Sequence, residues 1–516
     1  MRRPRGLLFL AAGAVAAGLL LPEAFLLVQA HDAGWTEVRT VLLRPLSGSL
    51  LASTAELAVL VGAATAVIGT GAAWCVERTA LPGRRIWAVL VVLPVAVPDF
   101  VIGYAWHSLF PGFVRLPAAT VVMTLDLYPL VYLPVAAALR RSDPALEESA
   151  QALGLGPLAR FRRVVLPQIR PALLGGGLLV VLALLAEFGA FEILGFQTFT
   201  TEIFAEMQVD TAAAAAMALL LVLLGVAVLL AEALATGRGR VSRAGPQASR
   251  PPGRQDPRFW RWPMLAGLTA LVGLAVGVPV GTLVYWLTHS QHTTLPASTT
   301  LLAATAATVR YSAGAAALAT VAAIPVALLA AGRSGRTASG RAAAALARST
   351  YLIQSVPGVV IALSLVFFAT RFVFPLYQTS GLLIIAYALL FFPLALACAR
   401  ASAAQAPPRL AEVGRSLGRG PVAVFCRVTL PIIAPGVAAA FCLVFLSAVT
   451  ELTATLVLVP TGVQTLATQF WAYQSNTAYG AAAPYAAVIV AIAAVPSIVV
   501  ATWFSRRTGG EAVVLA

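Results

Sequence analysis

Residues 143–171, DPALEESAQALGLGPLARFRRVVLPQIRP, return in altered form at 407–435. Glu148, Gly154, Val164, Leu166 and Pro167 are answered by Glu412, Gly418, Val428, Leu430 and Pro431 at a constant offset of 264. Leu153/Leu417, Phe161/Phe425, Arg163/Arg427 and Pro171/Pro435 keep the same register, so the match is a duplicated segment and the chain must fold as a tandem repeat. The first copy also predicts its own local structure. Asp143 suits a helix N-cap, Pro144 the first helical position, and Glu147 and Glu148 a first turn where the helix dipole favours anions. Gly154 suits the C-terminal cap. A second short helix is expected after Gly156-Pro157, with Phe161, Val164 and Val165 on one side and Arg160, Arg162 and Arg163 around the rest. Two short helices joined at a glycine form a polar knob, and the chain carries two.

What lies between the knobs is apolar. Hydrophobic residues make up 60% of 516 positions and mean hydropathy is +0.88, more than a soluble domain can bury, and long uncharged runs read as membrane spans. The fold class is therefore an all-α polytopic membrane protein. About 12 spans are expected, near 7–29, 52–75, 86–110, 118–139, 172–192, 211–235, 264–288, 303–331, 349–371, 380–399, 435–458 and 482–504. They divide into two tandem parallel repeats of six: a first half at 1–235, an Arg- and Pro-rich linker at 236–262 that cannot build a core, and a second half at 263–516. The N-terminal MRRPRGLLFL begins like a signal peptide, but its apolar stretch is too long and retaining it completes six spans.

The charge is placed by topology. The net +15 arises from 35 basic residues, all Arg. With the N-terminus inside, Arg2, Arg3, Arg5, Arg78, Arg84, Arg85, the linker arginines and both knobs are cytoplasmic, leaving Arg39, Arg44, Arg115 and Arg371 opposite. That asymmetry reads as a multi-pass membrane protein with its N-terminus inside, in contact with lipid and not with nucleic acid. Without Lys there is no P-loop lysine and no Schiff-base lysine, so any ATP hydrolysis belongs to another polypeptide. Four Cys, 75, 398, 426 and 442, read as reduced thiols. His289 and His292 have no carboxylate near them in sequence and read as surface residues; the chain gives no defined metal site.

Glu, then Gly six residues on, then aliphatic-x-Leu-Pro resembles the "EAA" coupling loop of ABC-importer permeases, with Ser149 for the first Ala and Val413-Gly414 for both. ERTALPGRR at 77–85 resembles the LPGRR-type loop of ferric-iron permeases. So do TLDLYPLVYLP at 124–134 and AEFGAFEILGFQTFTTEIF at 186–204, with ELTATLVLVPTGVQTLAT at 451–468 as the second version. The resemblance implies a fused, two-half permease subunit of a binding-protein-dependent importer, with Fe3+ as its cargo. It implies ATPase coupling through Glu148, Gly154, Leu166, Pro167, Glu412, Gly418, Leu430 and Pro431. The implied partners are two cytoplasmic ATP-binding subunits, which hold ATP and Mg while this chain binds no cofactor, and an external or periplasmic substrate-binding protein. A thiamine, polyamine or phosphonate permease is the alternative within the class, and a secondary transporter the alternative outside it.

Acids inside spans are the candidates for a substrate path. Asp99, Asp126, Glu187, Glu192 and Glu451 fall within expected spans or at their outer ends. A hard trivalent cation prefers oxygen ligands, so these carboxylates and Tyr104 or Tyr128 suit transient contact. Glu187 and Glu451 share the offset of 264 and are expected to flank the outer mouth of the path. Prolines in Val97-Pro98-Asp99 and Val356-Pro357-Gly358 predict kinks in both halves.

Overall fold

The computed structural model describes residues 3–236, 253, 256–290, 295–331, 356–405, 410, 413–414 and 416–507. Most of the linker at 236–262, Glu412, His292 and the start of the expected span at 349–371 lie outside the described residues.

In chain order the first helices are α1 (Arg3–Ala33), α2 (Pro45–Arg78), α3 (Arg84–Ala96), α4 (Asp99–Leu109) and α5 (Arg115–Arg141). Then come the short α6 (Pro144–Ala152), the long α7 (Pro157–Ala186), the short α8 (Gly189–Ile193) and α9 (Thr211–Thr236). The remainder comprises α10 (Arg258–His289), α11 (Ser298–Ala331), α12 (Gly358–Phe372), α13 (Ser380–Leu390), α14 (Phe392–Gln405), α15 (Val422–Val449), α16 (Thr453–Leu458), α17 (Leu466–Gln474) and α18 (Tyr479–Arg507). Among the described residues eight helices are long and apolar enough to cross a membrane, or ten when the bent pairs α3–α4 and α13–α14 each count as one. The shorter apolar Gly358–Phe372 and Tyr479–Val495 fall at the other two expected spans.

One expected kink is present: Pro98 precedes α4, where the α3–α4 pair bends by 88°. Pro357 precedes α12, and the span before residue 356 lies outside the described residues. Three expectations need correction. The spans at 172–192 and 435–458 are not continuous, because their long helices end at Ala186 and Val449 and short helices follow. The second short helix of the knob is not separate: it is the first turn of α7. Pro167 has no N–H for the carbonyl four residues back, and the helix runs through a π turn at Phe161–Val165 just before it. The second half does the same at Phe425–Thr429, before Pro431.

The helices assemble into two compact units that interleave along the sequence: 44–202 with 223–289, and 1–43 with 203–222 and 290–500. In the former, α2, α5 and α7 pack side by side. Apolar burial adds little drive between helices in lipid, so close approach of small residues carries the packing. A Cβ on Gly69 or on Gly176 would lie 2.9 Å from the backbone of Tyr128 or of Leu130 and Val131, so both neighbours meet one stretch of α5 through a glycine. Helix α10, from the second sequence half, joins this unit against α4, where Trp286 Nε1 donates to Ser108 Oγ at 3.1 Å. In the other unit, α11 packs with α14 and α15, and α1, from the first sequence half, lies against α11 and α12. Phe25 meets Phe368 and Phe372 edge-on, and Arg371 Nη1 donates to Asp32 Oδ2 at 2.5 Å. The sequence halves thus record the duplication, whereas the packing exchanges their first helices.

Candidate functional site: two capped knobs and a buried acidic cluster

The first knob is built by its caps. Asp143 Oδ1 accepts the N–H of Ala145 at 2.9 Å, with Pro144 as the first helical residue. At the other end Gly154 takes φ +77°, its N–H donates to the Gln151 carbonyl at 2.9 Å, and the Leu155 N–H donates to the Ala150 carbonyl at 3.1 Å. This is the double bond of a Schellman cap. Gly418 takes φ +76°, and the Arg419 N–H donates to the Gly414 carbonyl at 3.2 Å, the same link 264 residues on. Leu166 and Leu430 are half-buried, Pro167 and Pro431 exposed, and Glu148 is exposed on α6.

Each knob presents apolar side chains to its exterior. Leu146, Leu153 and Leu158 are exposed in the first copy, and Leu410, Leu417 and Val422 hold the same positions in the second. Leu153 is 82% exposed and Leu417 75%. Aliphatic side chains are thus exposed in register on both copies of the turn. Sequence reasoning noticed only Leu153/Leu417; the signal for the others was the shared offset of aliphatic residues.

Asp99, Asp126 and Glu187 come together. Glu187 follows α7 and is 7% exposed; Asp99, the first residue of α4, is its hydrogen-bonding neighbour, and Asp126 on α5 is close enough to both to act electrostatically. Asp99 Oδ1 also accepts the N–H of Phe100 at 2.7 Å. Tyr104 is buried in α4 and Tyr128 in α5. Glu192 is exposed near Glu202, away from the cluster, and Glu451 belongs to the other unit. Among the described residues no group of three or more His, Cys, Asp or Glu is arranged to hold a metal ion, so the three carboxylates do not form a coordination sphere as they stand.

Glu187 and Glu451 have a role that the sequence did not reveal. Glu187 Oε1 accepts the N–H of Ala190 at 2.6 Å, and Glu451 Oε1 accepts that of Ala454 at 2.9 Å, again 264 residues apart. Each carboxylate therefore caps the short helix that follows, α8 or α16. The Thr200 hydroxyl donates to the Glu187 carbonyl, and the Thr455 hydroxyl to the Glu451 carbonyl at 2.6 Å. Where Asp99 stands in the first half, the second has Gly358, whose added Cβ would lie 3.0 Å from Glu451 Oε1.

A helical membrane protein with paired knobs on tandem repeats is what the resemblance to importer permeases implies. The chain belongs to the family described as binding-protein-dependent transport system inner membrane component, which it matches twice, at 65–237 and 323–509. It is 36% identical over 502 residues to the Fe(3+)-transport system permease protein FbpB 2 of Haemophilus influenzae, covering 96% of this chain and 98% of that protein. It is 33% identical over 187 residues to the sulfate transport system permease protein CysT of Salmonella typhimurium, covering 33% of this chain and 68% of that one. CysW of Escherichia coli is 29% identical over 191 residues, or 34% of this chain.

Proposed function

We propose that this chain is the permease of an ATP-driven, binding-protein-dependent importer of ferric iron. One observation carries the substrate: the relative matched along nearly its whole length is named for Fe(3+) transport, whereas the sulfate permeases match about a third of the chain. The family membership sets aside a secondary transporter. On this reading two cytoplasmic ATP-binding subunits hold ATP and Mg, this chain binds no cofactor, and an external binding protein delivers the cation. Each knob docks on one ATPase: the left-handed glycines Gly154 and Gly418 fix its turn, the exposed leucines enter the partner, and Glu148 and Glu412 supply charge at its edge. Leu166-Pro167 and Leu430-Pro431 carry the motion into α7 and α15. The Arg bias supports an inner-membrane protein with a cytoplasmic N-terminus.

The acids serve the path. Carboxylate oxygens suit a hard cation passing between transient contacts, and Asp99, Asp126 and Glu187 offer three in one place, with Tyr104 on the same helix as Asp99. Reconstitution of the permease with its ATPase and binding protein, with radioactive iron outside, tests the assignment. ATP-dependent accumulation of iron is expected; accumulation of sulfate or thiamine with none of iron overturns it.

A further inference from the structure

Arg78 is the last residue of α2, and a chain this apolar offers a buried guanidinium few partners. Its side chain is 5% exposed, and it donates to two groups on the segment that forms the first knob. Nη2 reaches Ser142 Oγ and Glu147 Oε1, each at 2.5 Å. The Glu147 side chain is itself only 15% exposed, unlike its exposed neighbour Glu148. One turn earlier on α2, Trp74 lies 5.8 Å under the guanidinium and meets Phe161 edge-on at 5.4 Å. Phe161 opens the π turn of α7. Beside these, Arg140 Nη2 at the end of α5 donates to Glu77 Oε1 at 2.7 Å. The last turn of α2 thus grips the knob twice, at α6 through an ion pair and at α7 through an aromatic contact. A buried ion pair tolerates separation poorly, because either charge left alone is strongly disfavoured. Movement of α6 is therefore carried into α2, a helix of 34 residues and about 50 Å.

The sequence of the second half differs at the aligned positions. Helix α11 matches α2 at an offset of 254, which aligns buried Leu50 with Ala304, Thr54 with Thr308 and Ala73 with Ala327. Trp74 then corresponds to Leu328 and Arg78 to Gly332, while Glu147 corresponds to Ala411 at the knob offset. One residue beyond those positions the sequence carries Arg333 and Glu412, both outside the described residues.

We infer that Arg78 is a positioning residue that locks the first knob to α2, so that movement of this knob passes into α2 through the ion pair. The inference rests on the knobs being the ATPase contacts, and the test separates the two ideas. In the full-length permease alone, in nanodiscs, Arg78→Gln should speed amide exchange of residues 144–152 roughly tenfold or more, as expected when a buried pair is broken. With ATPase and binding protein added, Arg78→Gln and Glu147→Gln should lower the ratio of stimulated to basal ATP turnover while the ATPase still co-purifies. The exchanged pair, Arg78→Glu with Glu147→Arg, should recover part of both, which a side chain needed only for packing would not do. Should Arg78→Gln fail to insert, Glu147→Gln breaks the same pair from its more exposed side and carries the test. Unchanged exchange and an unchanged ratio, or a swap no better than the single variants, overturns the lock. A wild-type permease that no ATPase binds overturns the functional reading instead, since the exchange result stands without a partner.

Discussion

Gly154 and Gly418 hold the same left-handed backbone, φ +77° and +76°, 264 positions apart. A side chain in that conformation costs about 1–2 kcal/mol, and nothing lies within 4 Å of either Cβ position, so the penalty is one of backbone and not of space. Gly154→Leu, Gly418→Leu and their combination should insert and fold, yet unseat the turn. Co-purification of the ATPase and stimulated ATP turnover are the measurements, and both should fall, most in the double variant. Glu148→Ala and Glu412→Ala should lower stimulated turnover in the same way; normal values in all of these remove the knobs from coupling.

Gly176 meets the backbone of Leu130 and Val131 at distances no Cβ tolerates. Since the obstacle is main chain, Gly176→Ala must part α5 from α7, and overpacking of this kind costs about 1–3 kcal/mol. Thermal unfolding of the detergent-solubilised permease should show a clear drop, whereas Gly175→Ala, with nothing within 4 Å, should be near neutral.

Glu187 and Glu451 combine a cap with a carboxyl group able to ligate a hard cation, and Gln separates these. The amide oxygen still accepts from Ala190 and Ala454, the bonds at 2.6 and 2.9 Å, so the double Glu→Gln variant should assemble and keep basal ATP turnover. Iron uptake should fall, because an amide is a poorer ligand than a carboxyl group for a hard cation. Uptake at the wild-type rate would remove both residues from the path and leave them as helix caps. Replacement by Ala should also loosen α8 and α16, at about 1 kcal/mol for each lost cap.

The Asp32–Arg371 pair ties α1 to α12 and gives a pH dependence. The hydrogen bond from Arg371 holds the Asp32 carboxyl below its ordinary value of 3.8, with the attraction of the guanidinium and of His31 adding to it. A carboxyl depressed in the folded state stabilises above its unfolded pKa and stops doing so as pH falls through the folded value. The tie is therefore present at neutral pH and lost in acid below 3.8. Asp32→Asn should lower the melting temperature at pH 7, with the gap to wild type closing on acidification. A gap that persists in strong acid assigns the loss to some other contact.

Much of this architecture was legible in the residues. Asp143, Pro144 and Gly154 act through their own backbone, so the caps of α6 could be read locally, and the constant offset carried the glycine geometry to Gly418. The Arg asymmetry and the apolar runs located the spans for the same reason, since each span answers to lipid and not to a distant neighbour. What escaped was set by contact. The π turn at Phe161–Val165, just before Pro167, was not read from the sequence. Glu187 and Glu451 looked like continuations of apolar helices, and only the ends at Ala186 and Val449 reveal them as caps. Glu147 and Glu148 are neighbouring acids of α6, and only the contact with Arg78, 69 residues away, shows that Glu147 is the one turned inward. The exchange of α1 and α10 between the sequence halves has no local signature at all.

The duplicated Glu-to-alanine cap, with Asp99 beside it in one half and Gly358 in the other, bears on ancestry. A permease assembled from two copies of one polypeptide must suffer every substitution twice, so an acid that is useful on one side is imposed on both. Once the copies share a single gene, each is free to drift or to specialise while the other keeps the original duty. Gly358 opposite Asp99 and Ala411 opposite Glu147 are the residue of that freedom: a machine inherited as twins has begun a division of labour.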